Sequence, residues 1–186
     1  MNIPRLIAIC GYKRCGKDTL SDYICKKYGH QKVKIAGKLK EIVKIVFGFS
    51  EEQVESDLKE EIDSRWGITP RQAMQFIGTE MFQYKIQELL PDIQRKLWIK
   101  SVISSINDDS KIVISDLRFL HEYIELKNKG FFVIKIEKDD NEIIDTHKSE
   151  TEFLSIPSDI TLKNNNTLKE FFTEFENKIK IINQIE

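Results

Sequence analysis

Hydrophobic and polar positions divide the chain into short apolar runs separated by longer amphipathic stretches. Leu6-Ile7-Ala8-Ile9-Cys10 is one such run, ended by Gly11. Val33 to Ala36, Ile112-Val113-Ile114, Phe131 to Ile136 and Ile160-Thr161-Leu162 follow. Runs of this length without alternation predict strands buried on both faces, as in a parallel sheet. Between them the spacing becomes helical. Lys17 to Tyr28 predicts a helix, and Gln72 to Leu90 carries Ala73, Phe76, Ile77, Met81 and Tyr84 on one stripe. Leu168, Phe171, Phe172, Phe175, Ile179 and Ile182 mark a closing helix, and both stripes are expected to be core. The alternation predicts an α/β fold in three layers, with a parallel sheet of about five strands and helices on both faces.

Two stretches interrupt this pattern. Residues 38–98 form a long, mostly helical insertion with an acidic segment from Glu51 to Asp63, expected to be a solvated surface. Residues 138–157 form a polar segment between the fourth and fifth strands. In a doubly wound fold, insertions at the carboxyl ends of strands build a second ligand site and a lid. With no repeat or linker composition, residues 1–186 read as one domain.

Composition narrows the chemistry. The chain has 186 residues, enough for a core without metal or disulfide support. Lys and Arg number 29 against 30 Asp and Glu, a net charge of -1. The basic surplus expected of a protein that binds polymeric nucleic acid is missing. Cys10, Cys15 and Cys25 form no C-x-x-C pair and read as reduced thiols of a cytosol-like compartment. No apolar run reaches membrane length, and the N-terminus lacks a signal-peptide pattern, so a cytoplasmic protein with no membrane partner is expected.

The most specific feature is Gly11-Tyr12-Lys13-Arg14-Cys15-Gly16-Lys17, a G-x-x-x-x-G-K phosphate loop between a predicted strand and a predicted helix. Glycines at its ends let several backbone N–H groups point inward, the helix N-terminus adds positive potential, and the lysine reaches the outer phosphates. Lys13 and Arg14 add cations. Asp18 follows where Ser or Thr is usual, with Thr19 next. A carboxylate is a good hard ligand for Mg²⁺, so Asp18 is expected to face the metal or a guanidinium, although an acid in the first turn also suits the helix dipole.

A second constellation stands at the end of the third strand, Ser115-Asp116-Leu117-Arg118. In a parallel sheet this end shares the edge of the phosphate loop. Asp116 could position Mg²⁺ and Arg118 could clamp a phosphate. Glu122, four residues on, either serves the site or pairs locally with Arg118. Arg71 opens the insertion's long helix, where its charge opposes the dipole, and an anionic ligand would rationalise it. Trp66 and Trp98 suit core or base stacking. His30, His121 and His147 lack the Ser or Cys partners of a hydrolase.

Together these residues resemble the deoxynucleoside monophosphate kinases of phages and large DNA viruses, over nearly the whole chain. Gly11 through Thr19 is similar to the family's G-x-x-x-x-G-K-D-T. Ala36-Gly37-Lys38-Leu39-Lys40 resembles its A-x-x-[LI]-K, and Pro70-Arg71 with Gln75, Gly78, Thr79 and Glu80 its P-R-x-x-x-Q-x-x-G-T-[ED]. Trp98 matches a following tryptophan, Asp116-Leu117-Arg118 with Glu122 the D-x-R-x-x-x-E segment, and His147-Lys148-Ser149-Glu150 the H-x-S-E of the polar insertion. Asn164 is similar to an asparagine near the adenine. The resemblance implies a P-loop kinase fold, ATP with Mg²⁺ as donor, a deoxynucleoside monophosphate as acceptor, and a homodimer in the cytoplasm (the host's, if viral). It implies phosphate binding by Gly11, Lys13, Arg14, Cys15, Gly16, Lys17, Asp18 and Thr19, metal contacts from Asp18, Thr19 and Asp116, and catalysis by Lys17, Arg71, Asp116 and Arg118. Acceptor binding then falls to Lys40, Arg71, Gln75, Trp98, Arg118, Glu122 and Glu150. Two positions depart. Gln83 stands where the family often has Arg, and no arginine follows Arg118, so Arg14, Lys138 or Lys148 would supply the lid cation. The alternatives are another small-molecule P-loop kinase, of phosphomevalonate or dephospho-coenzyme A type, and a nucleotide-binding module without transfer.

Overall fold

A computed structural model describes residues 2–139 and 152–184. Five strands, β1 (Leu6–Gly11), β2 (Gln31–Val33), β3 (Ile112–Ile114), β4 (Phe132–Glu137) and β5 (Ile160–Lys163), form one parallel sheet in the order β2-β3-β1-β4-β5. Helices α1 (Lys17–Tyr28), α2 (Gly37–Phe47), α3 (Glu51–Glu55), α4 (Pro70–Gln75), α5 (Leu97–Ile103), α6 (Leu120–Asn128) and α7 (Leu168–Ile182) connect and follow them. The chain divides into two compact units, Met1–Lys34 with Val102–Glu186, and Ile35–Ser101.

The first unit holds the sheet. Ile7, Ile9, Val113, Ile134, Ile136 and Leu162 point to one face and pack with Leu20 and Ile24 of α1 and Phe171, Phe175 and Ile179 of α7. Ala8, Cys10, Ile112, Ile114 and Val133 alternate to the other face and are equally buried. The central strands are therefore covered twice, which is why their sequences read as continuous apolar runs. Because β1 pairs with β3 and β4 in parallel, the loops that leave the three strands emerge on one edge.

The second strand lies earlier than its apolar run predicts. β2 pairs Gln31 with Ile112 and Val33 with Ile114, and β3 ends there, so Ile35 has no ladder partner. Ala36 instead caps the start of α2. Lys32 thereby becomes a strand residue.

In the second unit, Val43, Phe49, Val54, Ala73 and Ile77 form a small core. Thr69 caps α4 with a capping box to Gln72, and Pro70 stands in the first turn. The predicted helix from Gln72 to Leu90 is not uniform: the chain passes from α4 into a π-helix at Phe76–Tyr84 and a 3₁₀ turn at Lys85–Glu88. The i→i+5 winding rotates side chains off a 3.6-residue stripe. Ala73 and Ile77 remain core, whereas Phe76, Met81 and Tyr84 are exposed. In the closing helix, Phe171, Phe175 and Ile179 are core, but Leu168 is exposed.

The acidic segment lies at the surface as expected, its glutamates exposed and only Asp63 among its acids buried, and it carries ion pairs. Glu51 pairs with Lys44 at 2.5 Å, Glu55 with Lys40 at 2.6 Å, Glu60 with Arg71 at 2.6 Å and Asp63 with Arg65 at 2.7 Å. No helix among the described residues is long and apolar enough to cross a membrane.

Candidate active site

The phosphate loop leaves β1 at Gly11 and enters α1 at Lys17. Two of its glycines are required by geometry. Gly11 has φ +147°, and a Cβ there would lie 2.5 Å from the Ile136 carbonyl oxygen and 2.7 Å from Cys15 Sγ. Gly16 caps α1 at φ +107°, where a Cβ would lie 2.5 Å from Asn164 Nδ2. Arg14 also takes a left-handed conformation, at φ 63°, an uncommon state for a residue with a side chain. Cys15 is fully buried, and burial raises its thiol pKa above the ordinary value, so it anchors the loop as an apolar group. Lys13 and Arg14 are exposed. Lys17 folds back over the loop, its Nζ donating to the carbonyls of Gly11 at 2.8 Å and Tyr12 at 2.6 Å.

Asn164, just past β5, ties the loop from the other side by donating from Nδ2 to the Cys15 carbonyl at 2.9 Å. Its side-chain amide is thus committed to the loop's backbone.

Asp18 is joined to the end of β3. Ser115 Oγ donates to Asp18 Oδ1 at 3.0 Å, and Lys32 Nζ lies 2.7 Å from the same oxygen. In the common form of this site a hydroxyl on the helix and a carboxylate on the strand hold the metal. Here Asp18 takes the place of the hydroxyl residue after the loop lysine, and it meets Ser115, the residue immediately after β3. Burial works to raise the Asp18 pKa, but hydrogen bonds from Lys32 and Ser115 and the charges of Lys32 and Lys34 outweigh it, leaving the carboxyl below its ordinary value.

The segment after Ser115 is pinned by Glu122. Its carboxylate Oε2 accepts from the backbone N–H of Arg118 at 3.0 Å and of Phe119 at 3.1 Å, and the side chain is buried. Asp116 and Arg118 are half-buried. Of the two sequence readings of Glu122, a ligand contact or an ion pair, neither describes these bonds, which hold the backbone. The segments after β1, β3 and β5 thus converge: Asp18 meets Ser115, and Cys15 meets Asn164.

The family model described as "Deoxynucleotide monophosphate kinase" matches residues 5–64 and 46–175. A protein of Acanthamoeba polyphaga mimivirus, provisionally assigned as a deoxynucleotide monophosphate kinase, is 34% identical over 180 residues, covering 91% of this chain and 93% of its own. The chain belongs to the deoxynucleotide monophosphate kinase family. It is a nucleotide kinase, hence a phosphotransferase. The deoxynucleotide monophosphate kinase of Enterobacteria phage T4 is 21% identical over 249 residues, covering 96% of this chain and all of its own. A gluconokinase from Sinorhizobium meliloti 1021 shares the fold at a TM-score of 0.54 and 10% identity, covering 100% of this chain and 99% of its own.

Several of the remaining candidate residues of this family member lie in the second unit. Arg71 donates from Nε to Glu60 at 2.6 Å, so its charge at the helix start has a partner within the protein. Lys40 pairs with Glu55, and Gln75 is exposed at the end of α4. Trp98 donates from Nε1 to the Gly78 carbonyl at 3.0 Å and packs edge-on against Phe82. Trp66 is half-exposed and donates to the Phe47 carbonyl. Gln83, where the kinase family often has arginine, is buried and accepts from Arg95 Nε at 3.0 Å. His147, Lys148 and Glu150 lie outside the described residues, and His30 is buried against the Pro4 carbonyl.

The donors near the loop suit Mg²⁺: a carboxylate at Asp18, hydroxyls at Thr19 and Ser115, and a carboxylate at Asp116 are hard oxygen ligands. Among the described residues no group of three or more His, Cys, Asp or Glu is assembled for a metal. Mg²⁺ is ordinarily held by one or two carboxylates together with substrate phosphates, so this donor set fits. Sequence reasoning missed Lys32 and Ser115. Polar Lys32 beside apolar Val33 was a weak signal, and Ser115 was visible only as the last residue before Asp116.

Proposed function

We propose that this kinase transfers the γ-phosphoryl group of ATP, with Mg²⁺, to the phosphate of a deoxynucleoside monophosphate. The observation that carries the reading is the left-handed loop from Gly11 to Lys17, tethered by Asn164 and joined through Asp18 and Ser115 to the strand end that bears Asp116 and Arg118.

The acceptor oxygen is already anionic at neutral pH, so transfer requires positioning and charge neutralisation more than a strong base. The loop's backbone N–H groups and the N-terminus of α1 bind the donor phosphates, and Lys17 turns from the loop carbonyls to the outer phosphates. Mg²⁺, when bound, would supply positive charge that offsets the phosphates. Asp18, Thr19 and Asp116 would hold it. Arg118 neutralises charge on the phosphoryl group or the acceptor. Lys40, Arg71, Gln75 and Trp98 serve the acceptor, as does Glu150, and Arg71 exchanges Glu60 for substrate phosphate. Asn164 fixes the loop on the adenine side. Within this reading residues 38–98 are the acceptor-binding insertion, residues 138–157 a lid with Lys138, Lys148 or Arg14 as its cation, and the enzyme a homodimer.

The test is ADP release from Mg-ATP with each common deoxynucleoside and ribonucleoside monophosphate in turn. At least one deoxynucleotide is expected to drive release. Lys17→Ala should lower turnover by at least about a hundredfold without changing the circular dichroism spectrum. Refusal of every deoxynucleotide by the wild type, with phosphomevalonate or dephospho-coenzyme A accepted, would overturn the assignment, as would normal turnover in Lys17→Ala.

A further inference from the structure

Lys32 has no part in the reading above. It lies on β2, an edge strand of the sheet, where a solvated lysine is the ordinary expectation. Its Nζ instead stands 2.7 Å from Asp18 Oδ1 and 3.0 Å from Asp22 Oδ1; 25% of its side chain is exposed, against 63% and 68% for the two carboxylates. Asp18 and Asp22 are one turn apart on α1, so both carboxylates face β2. Burial lowers the Lys32 pKa, but hydrogen bonds and charge from Asp18 and Asp22 outweigh it and keep the ammonium charged. Ser115 fills a second approach to Asp18 Oδ1. Asp18 is therefore held from two sides, by a cation from β2 and a hydroxyl from the end of β3.

The electrostatic problem this solves is specific. An acid directly after the loop lysine puts a negative charge beside the site for a polyphosphate, and two like charges there repel. We propose that Lys32 is a positioning residue that supplies the counter-charge of Asp18, so that a nucleotide's phosphates approach the loop without meeting an uncompensated carboxylate. Mg²⁺ shares that role when present. The inference rests on the reading that the loop binds adenine nucleotide.

The consequence is a dependence on metal. With Lys32 removed, ADP without metal should lose more affinity than ADP with Mg²⁺. The experiment is calorimetric titration of ADP into the full chain, in excess EDTA and again in excess Mg²⁺, for wild type, Lys32→Met, Lys32→Arg, Asp18→Asn and the Asp18→Asn/Lys32→Met double variant. Lys32→Met should raise the ratio of the metal-free Kd to the Mg²⁺ Kd about two- to fivefold, the upper range of an exposed ion pair. Lys32→Arg should restore the ratio. In the Asp18→Asn background Lys32→Met should leave it unchanged, because no carboxylate remains to neutralise. A purely structural lysine would weaken both affinities equally. An unmoved ratio in Lys32→Met, or the same rise in the Asp18→Asn background, overturns the role of Lys32 while a wild type that binds Mg-ADP keeps the parent reading intact. A wild type that binds no ADP overturns both.

Discussion

Glu122 offers the sharpest physical test, because one buried carboxyl both holds the Asp116–Arg118 segment and carries a perturbed proton. It is 6% exposed, and burial pushes its pKa up from 4.5 to about 8. The charge of Asp116 acts in the same direction, while the amides of Arg118 and Phe119 and the charge of Arg118 oppose it. The folded-state value lies above the unfolded one, so the native state binds the proton more tightly. Its contribution to stability is complete below about pH 4.5 and is lost as pH rises through about 8. At about 1.4 kcal/mol per pH unit, that interval sets a ceiling of about 5 kcal/mol. Since a domain is stable by only about 5–15 kcal/mol, such a dependence is measurable.

Glu122→Gln isolates the proton from the hydrogen bonds. Its amide oxygen can accept from the same two N–H groups, and it does not titrate. Urea unfolding between pH 5 and 8.5 should show wild-type stability falling with pH more steeply than that of Glu122→Gln. The two should be similar near pH 5, with the variant equal or more stable near pH 8. Glu122→Ala removes the acceptor and, relative to Glu122→Gln, should cost about 1–3 kcal/mol at every pH, by leaving the Arg118 and Phe119 amides unsatisfied, and lower kcat by loosening the segment. Parallel pH slopes for wild type and Glu122→Gln would refute the argument.

Gly16→Ala should weaken nucleotide binding and destabilise the fold by about 1–3 kcal/mol, since φ +107° disfavours a side chain and the new methyl would meet Asn164. Adding Asn164→Ala should recover only the steric part, and full recovery in thermal unfolding would show that backbone strain is negligible. Phe175→Ala, in the core between α7 and the sheet, should cost about 3–5 kcal/mol in urea unfolding, and a loss below about 1 kcal/mol would mean the cavity had closed.

What the sequence disclosed and what it withheld divide along the range of the interactions. The central strands were legible because burial on both faces writes an uninterrupted apolar run. The loop was legible because its requirements, left-handed glycines and a lysine at a helix start, fall within seven consecutive residues. The π-helix after Gln75 was not legible: nothing in Phe76–Tyr84 announces a change of winding, so a stripe counted at 3.6 residues assigned Phe76, Met81 and Tyr84 to a core they do not enter. Asp18 shows the same limit at the site itself. Its expected partner was a metal or a guanidinium, and its observed neighbours are Lys32 and Ser115. Neither can be found by counting along the chain. Lys32 is near Asp18 because β2 pairs with β3 rather than β1, and because α1 packs against all three strands. Ser115 is near because β3 ends one residue before it. Placing an acid beside a phosphate loop requires compensation, a demand that follows from electrostatics alone. Which residues meet it is settled by strand order, and strand order is a property of the folded sheet.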